Sequence, residues 1–209
     1  MTTTIIDYNA GNLTSVRLAF DALDAEVEIT ADPAAVAAAE RIVFPGVGAA
    51  GSAMAELRER GLVDCLKQAV ADGKPFLGIC LGTQILLEHS EEDGGTDCLG
   101  ILPGRVVRFQ PQDRYDKVPQ MGWNAVHLRR PDHPVLRGIA DGSEFYFVHT
   151  YYPDPSAPDC RLGETSYAGA TFAAVTGRDN LVATQFHPER SGRIGMKLLA
   201  NFLEWDGSC

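Results

Sequence analysis

The chain has 209 residues, of which 28 are acidic and 18 are basic, so its formal net charge is −10 at pH 7. This length suits one domain with an ample core, and no break in composition divides residues 1–209. The basic residues form no stripe, which argues against a nucleic-acid partner. No apolar run is long enough to span a bilayer and no secretory signal begins the sequence, so we expect a cytoplasmic protein without membrane contact.

The sequence alternates between β and α patterns, which favours an α/β fold with an open, mostly parallel sheet flanked by helices. In the first half, strands are predicted at 4–8, 26–30, 41–44 and 75–79, and helices at 13–23, 33–39, within 52–72 and at 81–88. The second half adds short β segments at 104–109, 123–128, 144–149, 171–175 and 181–186, then a helix at 191–204. Polar segments at 89–98, 110–117 and 153–160 are predicted to be surface loops.

Cysteine usage indicates reduced thiols. The cysteines are five in number, and they show neither C-x-x-C nor Cys/His metal spacing. They are Cys65, Cys80, Cys98, Cys160 and Cys209. We therefore predict no metal site and no cofactor.

A cysteine motif lies between an apolar strand pattern and a helical pattern, where residues 78–82 read Gly-Ile-Cys-Leu-Gly. This arrangement is typical of a nucleophile elbow, in which a sharp strand-to-helix turn presents the nucleophile and glycines avoid collisions across the turn. Cys80 would be the nucleophile, and the N-terminus of the following helix would favour its thiolate. A buried structural cysteine beside closely packed glycines is the alternative, and the motif alone does not decide between the two.

A histidine and a carboxylate follow a later strand pattern, where residues 185–189 read Gln-Phe-His-Pro-Glu. Residues i and i+2 of an extended segment point the same way, so Glu189 can orient the His187 ring while the other ring nitrogen takes the Cys80 proton. By itself this segment is more typical of an ordinary strand end. Together with the elbow, it predicts a catalytic triad of Cys80, His187 and Glu189.

Residues 78–84 and 185–189 together resemble the motifs of class I (triad-type) glutamine amidotransferases. The resemblance covers almost the whole chain and implies the fold of that family, with the additional short β segments in the C-terminal half. It also implies hydrolysis of the side-chain amide of L-glutamine through a cysteinyl thioester, with delivery of the ammonia to a synthase. Another glutaminase of the same fold, such as a γ-glutamyl hydrolase or another pathway's subunit, and a non-catalytic regulatory subunit are the alternatives.

Four further segments, at 7–16, 45–48, 119–124 and 146–151, resemble the glutaminase subunits of imidazole glycerol phosphate synthases. This resemblance implies a heterodimer with a (β/α)8 cyclase subunit, which uses the ammonia to make imidazole glycerol phosphate and AICAR in histidine biosynthesis. The chain departs from the subfamily at Asn9, where Gly is frequent, and at Gln120, where His is frequent. Both departures bear on partner contacts and leave the triad unchanged.

The same resemblance implies an oxyanion hole. When a thiolate adds to the amide, the oxyanion would be bound by the N–H of Leu81 and by that of Val47 or Gly48. In this subfamily the glycine turn at residues 45–48 is thought to reorient between resting and active states, which glycine makes easier. Without the resemblance, these residues would be interpreted as an ordinary turn at the end of a strand.

The resemblance also implies residues that hold the amino-acid end of glutamine. They are Gln84, Glu92, Thr150 and Tyr151. Gln84 lies four residues after Cys80, on the same helix face. Glu92 would face the α-ammonium group, with the neighbouring Glu91 as the alternative.

A docking surface for the cyclase is implied in the same way. It would include Asn12, Met121, Trp123 and Tyr146. Without the resemblance, the alternating pattern of residues 122–128 favours a half-buried strand with Trp123 in the core. His149 would lie near the glutamine pocket without a catalytic role.

Overall fold

The structure is a computed structural model, and it describes residues 2–9 and 12–208. The strands of this part of the chain are β1 (Thr3–Ile6), β2 (Val27–Thr30), β3 (Arg41–Gly46), β4 (Phe76–Cys80), β5 (His89–Ser90), β6 (Thr96–Asp97), β7 (Gly104–Arg108), β8 (Gln120–Leu128), β9 (Ser143–His149), β10 (Tyr151–Pro155), β11 (Arg161–Tyr167), β12 (Ala170–Arg178) and β13 (Leu181–Thr184). The α-helices are α1 (Leu13–Asp21), α2 (Pro33–Ala38), α3 (Ala50–Glu59), α4 (Leu62–Ala71), α5 (Leu81–Gln84) and α6 (Gly192–Glu204). Among these described helices, none combines the length and apolar character needed to cross a membrane.

A nine-stranded sheet in the order β2-β1-β3-β4-β13-β12-β11-β8-β9 forms the centre of the fold. The strands β2, β1, β3, β4 and β13 are parallel, whereas β12, β11, β8 and β9 extend the sheet in antiparallel pairs. The prediction of an open α/β sheet flanked by helices is confirmed. Its parallel half contains the predicted elbow.

Two of the predicted surface loops were wrong. The segment 89–98 contains β5 and β6, and 153–160 contains most of β10. In a second sheet ordered β10-β7-β5-β6, β10 and β5 pair with β7, and β6 pairs with β5. β11 was not predicted at all, because its polar sequence lacks a strong apolar alternation. Pairing with strands distant in sequence determines the β conformation of these segments.

The helix after the elbow is also shorter than the predicted 81–88. α5 ends at Gln84, and the following carbonyls of Ile85, Leu86 and Leu87 accept hydrogen bonds from the N–H groups of residues 99–102 at 2.7–2.9 Å. These carbonyls are therefore occupied by a distant segment and do not extend the helix. A dipole of one short turn contributes little to stabilising a thiolate, so His187 becomes the more important partner of Cys80.

The central sheet separates two apolar layers. Neighbouring residues of β3 face opposite layers, with Val43 packed beside α1 and α6 and Phe44 packed beside α2, α3 and α4. Because both faces are covered, the inner parallel strands β3, β4 and β13 are buried along their whole length and are mostly apolar. Their carboxyl ends meet at one edge of the sheet, where Gly46 is directly paired with Cys80.

We predict that Gly82→Ala destabilises the protein, because a Cβ there would lie 1.9 Å from the carbonyl oxygen of Phe44. Overpacking against backbone costs on the order of 1–3 kcal/mol, which should appear as a lower thermal midpoint. Gly51→Ala in α3 is the matched control, since its Cβ would lie 3.4 Å from the Thr96 side chain. Alanine is the better helix former there, so the control should keep or raise the midpoint. Equal midpoints for the two variants would contradict the packing argument.

Candidate active site

Cys80 ends β4 in a backbone conformation that L-residues rarely adopt, with φ 54° and ψ −109°. Such a conformation costs on the order of 1–3 kcal/mol and persists only where the surroundings impose it. Here the flanking strands and α5 impose it, because β4 lies between β3 and β13 and α5 begins at the next residue. The geometry is that of a nucleophile elbow, with a largely buried thiol, 6% exposed, at the carboxyl edge of the sheet.

The two glycines of the elbow are required by close packing. A Cβ at Gly78 would lie 2.9 Å from side-chain atoms of both Ala183 and Leu86. A Cβ at Gly82 would collide with the Phe44 carbonyl, as described above. Gly82 therefore lets α5 pack directly on β3, and Gly78 leaves room for Leu86 and Ala183 beside β4, which is the role that the motif predicts.

His187 and Glu189 form a buried pair beside the elbow. The Nδ1 of His187 lies 2.8 Å from Oε1 of Glu189, and the two side chains are 2% and 0% exposed. Glu189 lies in a 3₁₀ turn, Pro188–Arg190, that follows the histidine. With the proton on Nδ1 donated to Glu189, the Nε2 of His187 is left to interact with Cys80. Nε2 itself has no hydrogen-bond partner among the described residues.

The electrostatics of His187 favour its cation. Burial lowers the pKa of His187, but the negative charge of Cys80, together with the hydrogen bond and charge of Glu189, outweighs burial and raises this pKa to about 10. The imidazole thus stays protonated at neutral pH as long as the thiolate is beside it. This is the charge state that a thiolate nucleophile and a general acid both need.

The backbone of His187 is held by β9 and α6. Its N–H donates to the Tyr146 carbonyl at 2.9 Å. The Ser191 hydroxyl donates to the His187 carbonyl at 2.6 Å and accepts from the Tyr146 N–H at 3.0 Å. Ser191 was not predicted from sequence; a small polar residue before a helix is usually interpreted as an N-cap, and here it makes no such bond.

Asn12 lies closer to the chemistry than the sequence indicated. Its side-chain Nδ2 donates to Oε1 of Glu189 at 2.9 Å, the same oxygen that accepts from His187. The other carboxylate oxygen, Oε2, is buried without a partner in the described part of the chain. Asn12 therefore positions the Glu189 carboxylate, and its expected contact with a partner stays a prediction.

A cavity of about 300 Å³ opens above Cys80. The structure brings together around it all seven residues predicted for the oxyanion hole and the substrate. Its lining comprises Val47, Gly48, Cys80, Leu81, Gln84, Glu92, Pro119, Val148, His149, Thr150, Tyr151 and His187. Within residues 2–9 and 12–208, no group of His, Cys, Asp or Glu side chains is suited to hold a metal ion.

Between the two candidate carboxylates, Glu92 lines the cavity and Glu91 does not. Glu92 accepts a hydrogen bond from the Ala50 N–H at 2.6 Å, whereas Glu91 accepts from Arg108 N–H at 3.1 Å on the exposed side. Burial raises the pKa of Glu92, which the hydrogen bond from Ala50 partly opposes and the charge of Asp93 reinforces. A ligand cation in the cavity would favour the charged form of this carboxylate.

Gln84 is fixed by its own hydrogen bonds. Its Nε2 donates to the Tyr151 carbonyl at 2.7 Å and to Oε1 of Gln185 at 2.9 Å. The amide nitrogen is thus occupied, so its carbonyl oxygen is the group available to a ligand. Gln185 in turn directs its own Nε2 at the Cys80 sulfur, at 3.7 Å. This contact was missed, although Gln185 belongs to a segment that the motif already contained.

His149 lines the cavity as a neutral imidazole. Burial lowers its pKa to about 4; the hydrogen bond from Nδ1 to the Tyr151 carbonyl, 2.8 Å, opposes this shift and the charge of His187 adds to it. Its ring packs among Phe109, Phe147 and Phe172, with centroids 5.3–5.6 Å away. His149 therefore carries no charge in this site, in contrast to His187.

Two of the four residues predicted for docking are exposed on β8. Met121 is 66% exposed and Trp123 is 54% exposed, so the interpretation of Trp123 as a core residue was wrong. Tyr146, opposite Trp123 on β9, contacts it edge-on with centroids 6.1 Å apart, and the Arg190 guanidinium lies 4.6 Å from the Tyr146 ring. We call Met121, Trp123, Tyr146 and Arg190 the aromatic patch.

Comparison with known proteins identifies the family of the chain. The family model described as "Glutamine amidotransferase class-I" matches residues 4–205. "Imidazole glycerol phosphate synthase subunit HisH" of Methylococcus capsulatus is 49% identical over 210 residues, covering 97% of this chain and 95% of that protein. The HisH subunit of Dechloromonas aromatica is 50% identical over 212 residues, covering 98% of this chain and 96% of that protein.

Solved structures show the same fold at low identity. A chain from the structure of PurLQS from Thermotoga maritima aligns with a TM-score of 0.75 at 17% identity, over 97% of both chains. A structure described as a glutamine amidotransferase aligns with a TM-score of 0.73 over 98% of both chains. The chain therefore belongs to the class-I glutamine amidotransferase family and, within it, to the family of HisH subunits of imidazole glycerol phosphate synthase.

Proposed function

We propose that this chain is the glutaminase of an imidazole glycerol phosphate synthase: it hydrolyses L-glutamine to glutamate and ammonia, and it passes the ammonia to a cyclase subunit in histidine biosynthesis. The observation that carries the proposal is the buried Glu189–His187 pair beside Cys80, on a strained elbow in the wall of a small cavity. Residues 1–209 act as a single glutaminase domain, and we assign it to the cytosol, where the thiol stays reduced.

In the first step, the Cys80 thiolate attacks the side-chain amide carbon of glutamine and forms a C–S bond. The carbonyl electrons move onto oxygen, giving a tetrahedral oxyanion. When the intermediate collapses, the C–N bond breaks, and the His187 imidazolium donates its Nε2 proton to the leaving nitrogen. Ammonia and a γ-thioester of glutamate are the products of this step.

In the second step, neutral His187 accepts a proton from water as the water oxygen attacks the thioester carbon. The C–S bond then breaks and Cys80 leaves as a thiolate beside the regenerated imidazolium. Glu189 stays ionised throughout; it orients the ring through Nδ1 and stabilises its cation. Glutamate is released, and the resting charge state is restored.

The oxyanion is stabilised by backbone N–H groups that face the reacting carbon. Leu81 N–H, the residue after the nucleophile, is one donor, and Val47 or Gly48 supplies the other from the turn that follows β3. Val47 and Gly48 both line the cavity. Gly48 has a φ of 101°, a backbone conformation that a residue with a side chain would rarely adopt. The turn can therefore change its peptide orientation at low cost.

The amino-acid end of glutamine is held at the opposite side of the cavity. The Glu92 carboxylate pairs with the α-ammonium group, since Glu92 is the acidic residue among those that line the cavity. The Gln84 carbonyl and the backbone of Thr150 and Tyr151 complete this subsite. The side-chain amide is thereby directed at Cys80.

The ammonia must reach an acceptor before it is protonated in bulk water. A (β/α)8 cyclase subunit, bound as a heterodimer over the aromatic patch, is the proposed acceptor. This patch combines exposed Met121 and Trp123 with the Arg190 guanidinium, the residue types enriched at protein interfaces. Tyr146 joins the patch to the triad, because its carbonyl holds the His187 backbone.

We predict that Cys80→Ser abolishes glutamine-dependent synthesis by the assembled complex, by at least about 10³-fold, while synthesis from added ammonia is retained. The thiolate is needed only to release ammonia. The measurement is the rate of imidazole product formation with each nitrogen source. Cys65→Ser is the control, since its half-buried thiol only donates to the Pro33 carbonyl and a hydroxyl can do the same. Glutamine-dependent turnover by Cys80→Ser at the control's rate would refute the assignment.

We predict a ranking for the residues behind the thiol. His187→Asn should be the most damaging change, because it removes the proton carrier; Glu189→Gln should retain some activity, because it removes only charge stabilisation. Asn12→Ala should be mildest, lowering kcat by about 3- to 10-fold through loss of one hydrogen bond to Glu189. Glutamate release by each folded variant tests the order. If Asn12→Ala weakens binding to the cyclase and leaves kcat unchanged in the saturated complex, its role is docking.

We predict that glutaminase activity is weak in the free chain and rises when the cyclase and its ligand bind. Trp123→Ala should weaken association by about 30-fold in Kd, as expected for an aromatic hot spot, with the free chain's rate unchanged. His127→Ala, an exposed side chain at the far end of the same strand, is the control. Titration of glutamate release with cyclase measures both quantities. Equal rates of glutamate release by the free chain and by the complex would contradict the predicted activation by the cyclase.

A further inference from the structure

The hydroxyl of Tyr8 is a buried donor without a partner. Tyr8 lies just after β1, is 1% exposed, and packs its ring on Phe44 with centroids 5.1 Å apart. Its oxygen is inaccessible to solvent and makes no hydrogen bond with any described residue. A buried hydroxyl usually has a hydrogen-bond partner. This unpaired hydroxyl therefore points to a second conformation of the neighbouring backbone in which it would have one.

This hydroxyl lies beside the glycine turn at residues 45–48 and close to Cys80. A Cβ built on Gly46 would lie 2.0 Å from the Tyr8 oxygen, so the hydroxyl touches the Gly46 backbone directly. Gly46 is the register partner of Cys80 at the ends of β3 and β4. Burial, and then the negative charge of Cys80, raise the pKa of Tyr8, so the phenol keeps its proton and remains a donor.

The peptide between Gly46 and Val47 connects this donor to the oxyanion hole. In a trans peptide, the carbonyl of the first residue and the N–H of the second point in opposite directions. Val47 lines the cavity, whereas the Tyr8 hydroxyl lies on the interior side of the turn. When the Val47 N–H points into the cavity, the Gly46 carbonyl therefore points toward the interior, where the hydroxyl lies.

We propose that Tyr8 is a positioning residue for the oxyanion hole: its hydroxyl donates to the Gly46 carbonyl in the turn conformation that directs the Val47 N–H at the tetrahedral intermediate. This proposal rests on the proposed glutaminase function and names Val47, rather than Gly48, as the donor of the turn. The hydroxyl stays unpaired in the resting turn and becomes paired in the active one. Glycine at position 46 is required because any side chain would displace the hydroxyl from the peptide.

Removing the hydroxyl should therefore lower the rate without weakening the fold. In the complex with cyclase and its ligand, Tyr8→Phe should lower kcat for glutamate release by about 3- to 10-fold, with KM for glutamine changed by less than about twofold. The thermal midpoint should not fall, because the resting hydroxyl has no partner to lose. Alkylation of Cys80 by iodoacetamide should proceed at the wild-type rate, since it needs no oxyanion hole.

Tyr167→Phe is the matched control. Its hydroxyl donates to the Lys117 carbonyl at 2.7 Å, and Tyr167 does not line the cavity, so the control should lose stability and keep kcat. A wild-type kcat for Tyr8→Phe overturns the proposal, as does a loss of kcat accompanied by slower alkylation or a lower midpoint. Absence of glutamate release by the wild-type complex would instead overturn the glutaminase function itself, and Tyr8's role with it.

Discussion

The strained backbone of Cys80 is the constraint on which the rest of the site depends. Its φ of 54° turns the chain at once from β4 into α5, so that the sulfur projects from the edge of the sheet. The conformation is unfavourable for any residue with a side chain, and tight packing through Gly78 and Gly82 holds it in place. Everything else in the site is arranged around a sulfur whose position the backbone determines.

Two histidines of one cavity illustrate how the surroundings of a group determine its charge. His187 has a carboxylate on one side and the thiol on the other, and its pKa rises to about 10. His149 has a backbone carbonyl and three phenyl rings around it, and its pKa falls to about 4. Both are nearly inaccessible, so the difference comes from the partners that each ring meets. Of these two histidines, His187 is the one whose surroundings suit the proposed proton transfer.

The antiparallel half of the sheet connects the active site to the molecular surface. β8 exposes Met121 and Trp123, β9 carries Tyr146 beside them, and the Tyr146 carbonyl holds the His187 N–H. On the other side of the triad, Asn12 precedes α1 and binds Glu189. A partner that contacts these elements would act on the triad through one or two hydrogen bonds. Short, contiguous contacts of this kind are a physical route for coupling between two sites.

The residues of the candidate triad could be predicted from the sequence, because they lie in two local patterns. A cysteine between glycines brings the geometry of a strand-to-helix turn. A histidine two residues before a glutamate keeps the two side chains close, here across a 3₁₀ turn and not along the extended segment that the sequence suggested. The α/β order of the first half is equally local, since apolar periodicity reflects burial of each element.

Only the tertiary structure decided which groups meet across the chain. The strands β5, β6, β10 and β11 become strands by pairing within the two sheets, and α5 ends at Gln84 because residues 99–102 occupy the carbonyls of the three residues that follow it. The same holds for Asn12 on Glu189, 177 residues apart, and for the Tyr8 hydroxyl beneath Gly46. Trp123 follows an alternating pattern that is identical for either face of a strand, so its exposure depended on which face the core covers. Residue type and spacing thus determined what this chain can do. Long-range packing determined which side chains orient and surround the reacting groups, and which histidine is kept neutral.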